Sequence, residues 1–276
     1  MGPAVPDHPQ FEQLLARLKE MGADVSISSL RIKPLYPQAF SEIARGTGTV
    51  ALAPEAGSER LRRVIKKGIT EEDILRAMES VADQGIKRLK LYFMIGLPTE
   101  TDDDIGAIAD LTVKCKAVLE RRHGSTRVTL SVASFVPKAG TPFEWMPMEH
   151  LAVLNHRLDL LKGLLEPKGV RVGAESHAWS EVQAVLARGD AKLSAVLASM
   201  GDVSLPSWHR ALKEHDINAD EYAHRTLETE SELPWGMIDS GRGAYHLKRE
   251  LELALRPSQD VNDDIANVRA GTARPD

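Results

Sequence analysis

The first half of the chain alternates between short apolar runs and segments with helical periodicity. Apolar, β-rich runs occupy residues 25–30, 50–53, 88–95 and 127–135. Patterns of helical period cover residues 9–20, 36–45, 59–65, 71–83 and 102–122. Strands that alternate with helices predict βαβ units, right-handed crossovers and a mainly parallel sheet. The spacing of the later strand starts is typical of barrel or doubly wound units.

Two of these helices begin with recognisable caps. Thr70 precedes two glutamates and an aspartate, and Thr101 precedes three aspartates at 102–104. A hydroxyl at the N-cap and acids in the first turn both stabilise a helix start. We therefore interpret the acidic triplet as a helix start rather than a metal site.

The pattern changes after Pro147. One possible strand, 170–175, interrupts a mostly helical region, and the residues from 256 onward are polar and predicted to be disordered. The predicted organisation is an α/β part over 1–147, a helical region over 148–255 and a tail over 256–276. The helical patterns cover residues 149–166, 180–188, 191–200, 207–214, 219–228 and 244–255.

Composition narrows the classes of function. The chain has 276 residues, 35 Lys and Arg against 40 Asp and Glu, and 5% aromatic residues. A mildly acidic chain with few rings is a poor sequence-neutral nucleic-acid binder. Its sequence contains no apolar run long enough to span a bilayer and no secretory signal, so we expect a cytoplasmic protein. A single cysteine excludes an internal disulfide and a thiolate-built metal cluster held by this chain alone.

Three unusual segments follow predicted strands, at the edge where α/β proteins form their sites. They are APEAGSERLRR at 53–63, YFMIGLPTETDDD at 92–104 and SVASFVPKAGTPFEW at 131–145. The first could be a plain capping loop, the second an ordinary connection, and the third could pack over the barrel end. Their position on one edge of one sheet favours a binding site instead.

Several other features are interpreted as structural. Cys115 lies on the apolar stripe of its helix and is expected to be buried. The nine histidines show no metal-ligand spacing, and Arg188-Gly189-Asp190 is expected to turn between two helices. The basic run 60–67 is expected to be a solvated helix face, with contact to an anionic substrate or RNA as the alternative. Three tryptophans are expected to be packing anchors: Trp179, Trp208 and Trp235.

The three loop segments resemble the latter half of a radical S-adenosylmethionine (SAM) barrel. More narrowly, they are similar to radical SAM proteins with a cobalamin-binding domain, often labelled iron–sulfur oxidoreductases. The likeness extends over nearly the whole chain through three further segments: SSLRIKPL at 28–35, LARGDAKLSAVL at 186–197 and ELPWGMID at 232–239. The resemblance implies a partial (β/α) barrel, about strands three to six, followed by a helical region.

The resemblance also implies that SAM binds along the carboxyl ends of the strands. Glu55, with Ser58 nearby, would contact the ribose or the amino-acid part of SAM. The loop from Gly96 through Pro98 to Glu100 would shape the adenine side. A carboxylate on a ribose diol is a physically sensible contact for this ligand.

The last strand and the third contribute further candidates by the same resemblance. Backbone at Ala133, Ser134 and Phe135 would lie along the adenine, and Arg31 is a weaker candidate for a polar contact. No catalytic residue and no metal ligand are predicted in this chain.

The sequence lacks the cluster-binding loop that is typical of this family. Such enzymes hold a 4Fe–4S cluster with a Cys-x-x-x-Cys-x-x-Cys loop, and no such loop is present here. Without the cluster no electron reaches the sulfonium of SAM. The cluster and cobalamin are therefore expected only in a complete enzyme. Either Met1 is an internal start in a longer or split gene, or the chain works beside a second polypeptide.

Two functions remain open at this point. The leading one is part of a radical SAM enzyme that cleaves SAM reductively and transfers a radical to an unidentified substrate, with methyl or methylthio transfer as possible outcomes. The alternative is a non-catalytic SAM-binding or assembly chain that docks an N-terminal half. A phosphate-binding barrel enzyme is a distant third, since no glycine-rich loop follows a late strand.

Overall fold

The computed structural model describes residues 8–23, 30–45, 48–123, 126–238, 241 and 243–256. Within these residues, strands alternate with helices up to β4, and only helices follow. The strands are β1 (Thr49–Glu55), β2 (Arg88–Ile95), β3 (Arg127–Ser134) and β4 (Arg171–Ala174). The helices are α1 (Phe11–Glu20), α2 (Pro37–Arg45), α3 (Glu59–Val64), α4 (Glu71–Asp83), α5 (Asp102–His123), α6 (Leu151–Leu165), α7 (His177–Arg188), α8 (Leu193–Ser199), α9 (Leu205–Glu214), α10 (Ala219–Ala223) and α11 (Ala244–Leu255).

The described strands form one parallel sheet in the order β1-β2-β3-β4. Leu52, Leu91, Leu130 and Val172 are successive register partners and form a buried row across it. Exposure alternates along β2 and β3, as expected for strands with one face in a core. Because the strands are parallel and in register, all four carboxyl ends lie at the same edge.

The predicted strands agree closely with the observed ones. The prediction for 88–95 coincides with β2, β3 ends one residue before the predicted end, and β1 is longer than 50–53. The possible strand at 170–175 is β4 and joins the same sheet. Of the predicted strand 25–30, residues 25–29 lie outside the described part. Leu30 makes a parallel bridge to Leu52 of β1.

The fold class inferred from the sequence is therefore confirmed: a parallel α/β sheet of the kind found in a partial radical SAM barrel, followed by a helical region. One helix prediction was wrong at its end, because 219–228 continues past α10, which ends at Ala223. The carbonyls of Tyr222, Ala223 and Arg225 accept hydrogen bonds from the Arg188 guanidinium. The chain there is shaped by that side chain rather than by a helical ladder.

The chain divides into two compact units, which we describe separately. The first unit consists of residues 1–62, 67–134 and 152–177, and the second of 63–66, 135–151 and 178–276. Strand β4 and most of α6 therefore belong with the sheet. The second unit has an apolar cluster of its own around Trp145, Leu247 and Leu251. The predicted boundary at residue 147 stays a prediction.

Among the described residues, no helix combines the length and the apolar character needed to cross a membrane.

Thr70 caps α4, as predicted, and does so through a full capping box with Asp73. Its hydroxyl accepts from the Asp73 amide, and the Asp73 carboxylate accepts from the Thr70 amide. The buried Asp73 side chain lies close to Lys33 at 3.4 Å.

Candidate functional site

The carboxyl edge of the sheet carries most of the polar residues singled out from the sequence. Strand β1 ends at Glu55, β2 runs into Gly96, and β3 ends at Ser134. Three residues after β4, His177 begins α7. In the sheet register Glu55 pairs with Phe93, and Ile95 pairs with Ser134. The loops that follow these strands therefore start from neighbouring positions.

Glu55 has an unusual backbone conformation. Its φ is 69°, in the left-handed region that a non-glycine residue rarely adopts. The strand register is irregular between Leu52 and Glu55, directly before this turn. The half-buried carboxylate accepts a hydrogen bond from the Lys67 ammonium at 3.1 Å. Residues held in such conformations occur preferentially at ligand sites and active sites.

The loop after β1 passes very close to α5. A Cβ on Gly57 would lie 2.1 Å from the backbone nitrogen of Ile108, so only glycine fits there. The next residue, Ser58, accepts from the Leu61 amide and so caps α3, as predicted. Its hydroxyl also donates to Asp104 at the start of α5, with 2.6 Å between the oxygens.

The same loop is fixed from its other side by a buried arginine. Arg62 is 1% exposed, and its Nη1 donates to the carbonyls of Ala56 and Gly57 at 3.0 and 2.7 Å. Its Nε donates to the carbonyl of Ile69 at 3.1 Å. The guanidinium therefore satisfies carbonyls that no helix or strand satisfies.

The interpretation of 60–67 as a solvated basic face was accordingly wrong for Arg62. Three more members of the run also have protein partners: Arg60 contacts Asp104, Lys66 contacts Glu250, and Lys67 pairs with Glu55. Arg63 and Lys66 are exposed. The physical reason is that the carbonyls of the β1 loop need donors, and this helix supplies them.

Glu100 closes the loop after β2. Its carboxylate accepts from the Gly96 amide at 2.6 Å and from Nη1 of Arg157, on α6, at 3.0 Å. Nη2 of Arg157 also donates to the Glu100 carbonyl at 2.8 Å. Gly96 has a φ of 81° and Pro98 is buried. The loop from Gly96 to Glu100 is thus a preformed, rigid structure.

A hydrogen-bond network joins the loop after β1 to the loop after β2. Asp104 accepts from Ser58, from Arg60 and from both the amide and the hydroxyl of Thr101. Arg60 also donates to the hydroxyl and carbonyl of Thr99, whose φ is 65°. Burial raises the pKa of Asp104, but these hydrogen bonds outweigh it and lower the pKa below its usual value of 3.8. The acidic triplet is thus a helix start, as predicted.

Ser134 and His177 form a buried pair at the ends of β3 and α7. The serine hydroxyl and Nδ1 of His177 are 2.8 Å apart. Nε2 of His177 is buried and has no hydrogen-bond partner among the described residues. Burial, together with the charge of Lys162, lowers the pKa of His177 from its usual 6.5, and Asp159 opposes that shift. The imidazole is therefore neutral at pH 7.

The remaining predicted site residues lie at different places. Ala133 is half-buried next to the end of β3. Arg31 is exposed directly after Leu30, beside β1. Phe135 belongs to the second compact unit, where its ring packs edge-on against Phe143 with 5.7 Å between centroids. The structure therefore ties Ser58 to the 96–104 segment directly, through Asp104.

The residues present do not fit an iron–sulfur cluster. Cys115 lies on α5 and is fully buried, as predicted. Burial, and then the charge of Glu71, raise the pKa of its thiol to about 12. A cluster needs several thiolates, and this one thiol is neutral and enclosed. The edge residues fit SAM better, because Glu55 offers a partly exposed carboxylate on a strained turn beside rigid loops.

Sequence reasoning missed three residues that shape this edge: Arg62, Arg157 and His177. Arg157 could have been found, because it lies on the apolar stripe of α6 with Leu154, Leu158 and Leu161. A charged residue in such a stripe needs a buried partner. Arg62 was hidden in a run of basic residues, and the burial of His177 depends on contacts distant in sequence.

The expectations for the tryptophans were met in part. Trp208 is buried, and the indole N–H of Trp235 donates to the buried carboxylate of Glu144 at 2.8 Å. Trp179 is 39% exposed, so its interpretation as a packing anchor was wrong. Arg188-Gly189-Asp190 does lie in the turn between α7 and α8.

Comparison with known proteins agrees with this geometry. The chain is 37% identical over 197 residues to the uncharacterized protein MJ0966 of Methanocaldococcus jannaschii. The aligned part is 71% of this chain and 42% of that protein, so the chain spans less than half the length of the curated relative it matches. Residues 1–112 match the family model described as the Radical SAM superfamily. A radical SAM domain is thus detected in the part of the chain that carries β1, β2 and their loops.

Proposed function

We propose that this chain forms the adenosine-binding side of a radical SAM enzyme whose 4Fe–4S cluster is held elsewhere. The observation that carries the proposal is Glu55, a carboxylate in a left-handed conformation at the carboxyl end of β1. It lies within the segment that matches the radical SAM model. Glu55 and the loops beside it would hold SAM, which would supply radical chemistry towards the substrate once an electron from a reduced cluster cleaves its carbon–sulfur bond and releases methionine.

The roles proposed for this chain's residues follow from their hydrogen-bonding capacity. The Glu55 carboxylate accepts from the ribose diol or from the amino group of SAM, in place of its present contact with Lys67. Arg157 fixes the loop between Gly96 and Glu100 by a hydrogen bond to the Glu100 carbonyl, and this loop borders the adenine. Backbone groups at Ala133 and Ser134 lie along the adenine, whereas Ser58 acts indirectly by fixing the loop to Asp104. Phe135 and Arg31 remain candidates by resemblance alone.

The cluster loop must come from another segment or another polypeptide in this proposal. The one buried thiol of the chain cannot hold a cluster. An N-terminal half that carries Cys-x-x-x-Cys-x-x-Cys is the proposed partner, and cobalamin would belong to that complete enzyme. The substrate, the step after radical formation and a cytoplasmic location are part of the same proposal.

The test is to rebuild the complete enzyme. The DNA before the Met1 codon is sequenced, and any reading frame with the three-cysteine loop is expressed, joined to this chain or beside it. After anaerobic cluster reconstitution with a reductant, we expect 5′-deoxyadenosine from the two parts together and none from this chain alone. The matched control replaces the three cysteines of the added part by alanine.

The alternative is a non-catalytic SAM-binding or assembly chain. The observation that favours it is the absence of a cluster motif from this sequence. If no frame encodes the cysteine loop, and SAM binds to this chain without being cleaved, the alternative is supported and catalysis by this gene product is excluded.

A further inference from the structure

Two carboxylates and an imidazole converge within the second compact unit. The ligand atoms of Glu181, Asp220 and His224 all lie within 4.8 Å of one another. Glu181 is on α7, Asp220 is on α10, and His224 directly follows α10. The side chain of His224 is 4% exposed and that of Glu181 is 15% exposed.

The hydrogen bonds of His224 determine which ring nitrogen is available. Nδ1 lies 2.9 Å from the carbonyl oxygen of Met148, so Nδ1 must carry a proton. In a neutral imidazole Nε2 then carries a lone pair. That lone pair faces Oε1 of Glu181 at 2.9 Å. Two acceptors cannot face each other at this distance unless a proton or a metal ion is bound at one of them or between them.

A proton on either group or a metal ion can therefore account for this contact. Two ligands bound tetrahedrally to one ion at roughly 2.1 Å are themselves about 3.4 Å apart, so Nε2 and Oε1 would have to separate by about half an ångström from their present 2.9 Å to admit the ion. The second carboxylate, Asp220, is exposed, and no hydrogen bond or ion pair is seen at its side-chain oxygens in the described structure. A rotation of that side chain would complete a three-ligand set.

The surroundings hold His224 in a metal-binding orientation. A carbonyl on the far nitrogen is the usual outer partner of a metal-bound histidine. The backbone on both sides of the residue is fixed by the buried guanidinium of Arg188, which donates to the carbonyls of Tyr222, Ala223 and Arg225. The ring of His150 stacks on that of His224 with 4.5 Å between centroids.

We propose that Glu181, Asp220 and His224 form a binding site for a divalent transition-metal ion of the Zn²⁺ class. One imidazole and two carboxylates are a donor set that suits Zn²⁺ and its neighbours. Three protein ligands leave a fourth position for water or for an anionic ligand. The site is separate from the SAM-binding proposal and does not depend on it.

The test uses the full chain after chelator treatment, with Zn²⁺ in calorimetry and Co²⁺ in visible spectroscopy. We expect one strongly bound ion per chain, a Co²⁺ d–d spectrum without thiolate bands, and a higher Tm with Zn²⁺. Glu181→Gln and Asp220→Asn should each weaken Zn²⁺ binding by at least ~10-fold. Glu221→Gln removes an adjacent exposed carboxylate and should leave the affinity unchanged.

Both test substitutions keep the size of the side chain and leave His224 and its carbonyl contact in place, so each variant should fold, and its far-ultraviolet circular dichroism confirms this. No stoichiometric binding of Zn²⁺ would overturn the proposal and leave the contact between His224 and Glu181 as an ordinary hydrogen bond. Binding that is equally strong in Glu181→Gln, Asp220→Asn and Glu221→Gln would also overturn it, because the ion would then be held elsewhere.

Discussion

Several residues at the sheet edge have close backbone contacts or unusual backbone conformations that few other residues could adopt. Gly57 has no room for a Cβ because the backbone of α5 lies against it. Glu55 and Thr99 both adopt positive φ values without being glycine. Such positions persist only where the surrounding structure enforces them. Here the enforcement comes from Arg62 on one loop and from Arg60 on the other.

Replacing Gly57 by alanine should destabilise the protein by about 3 kcal/mol, because the new Cβ would overlap backbone that cannot move aside easily. Urea unfolding measures the change. Gly106→Ala, within α5, is the matched control, since nothing lies within 4 Å of a Cβ there. That variant should be as stable as the wild type or more so, because alanine favours a helix. Equal stability of the two variants would show that the backbone of α5 does not lie as close to Gly57 as described.

Titration of His177 should make stability depend on pH. Its pKa is lowered in the folded state by burial, so below about pH 6.5 the unfolded chain takes up a proton that the folded chain does not. The effect of His177 on the free energy of unfolding is therefore constant above about pH 6.5. Below that pH the protein becomes less stable, until the pH reaches the folded-state pKa of His177.

Unfolding of the His177→Asn variant should therefore depend less on pH below that point. His209→Gln, at an exposed histidine on α9, should keep the wild-type slope. A His177→Asn variant with the wild-type slope would mean that another group causes the acid sensitivity.

At the scale of elements, side-chain hydrogen bonds join the loop after β1 to the loop after β2, and both loops border the proposed site. Ser58 follows β1 and Asp104 begins α5, yet their side chains share a hydrogen bond of 2.6 Å. Arg60 crosses from α3 to the turn at Thr99. Because Asp104 also holds the Thr101 amide, the start of α5 and the loop after β1 are positioned together.

A double-mutant cycle measures this coupling. Ser58→Ala and Asp104→Asn should each destabilise the protein, and the double variant should be more stable than their sum predicts by about 1.5 kcal/mol, since a hydrogen bond to a charged group is lost only once. The control pairs Ser58→Ala with Asp83→Asn, a carboxylate that contacts Arg122 instead. That pair should be additive. Additivity in the first cycle would contradict the linkage of the two loops.

Much of the fold could be predicted because local patterns and tertiary structure agree. The apolar run at 88–95 and the Thr70 cap of α4 are both visible in the sequence, and both are observed. The position of His177 was missed, because its burial depends on a partner more than forty residues away. Arg157 was missed although its place on the apolar stripe of α6 indicates a buried partner. The spacing of the histidines does not reveal His224 as a metal ligand, because its neighbours in the cluster are carboxylates distant in sequence rather than histidines.

At the scale of the whole molecule, the chain contains a parallel α/β sheet of the kind found in a partial radical SAM barrel, and a helical region. The parallel sheet and the match over residues 1–112 support the first part. The sequence contains no cluster loop, and its single thiol is buried. We therefore propose that this chain binds the adenosine side of SAM through Glu55 and depends on another segment for the chemistry.

Titration of the full chain with SAM and with 5′-methylthioadenosine tests that claim most directly. We predict that both ligands bind, that Glu55→Gln weakens both by at least ~10-fold through loss of a charge-assisted hydrogen bond, and that Lys67→Ala does not weaken them, since it releases the carboxylate. Glu79→Gln, at an exposed site on α4, should have no effect. No binding of either ligand, or equal affinities in Glu55→Gln and Glu79→Gln, would contradict the account.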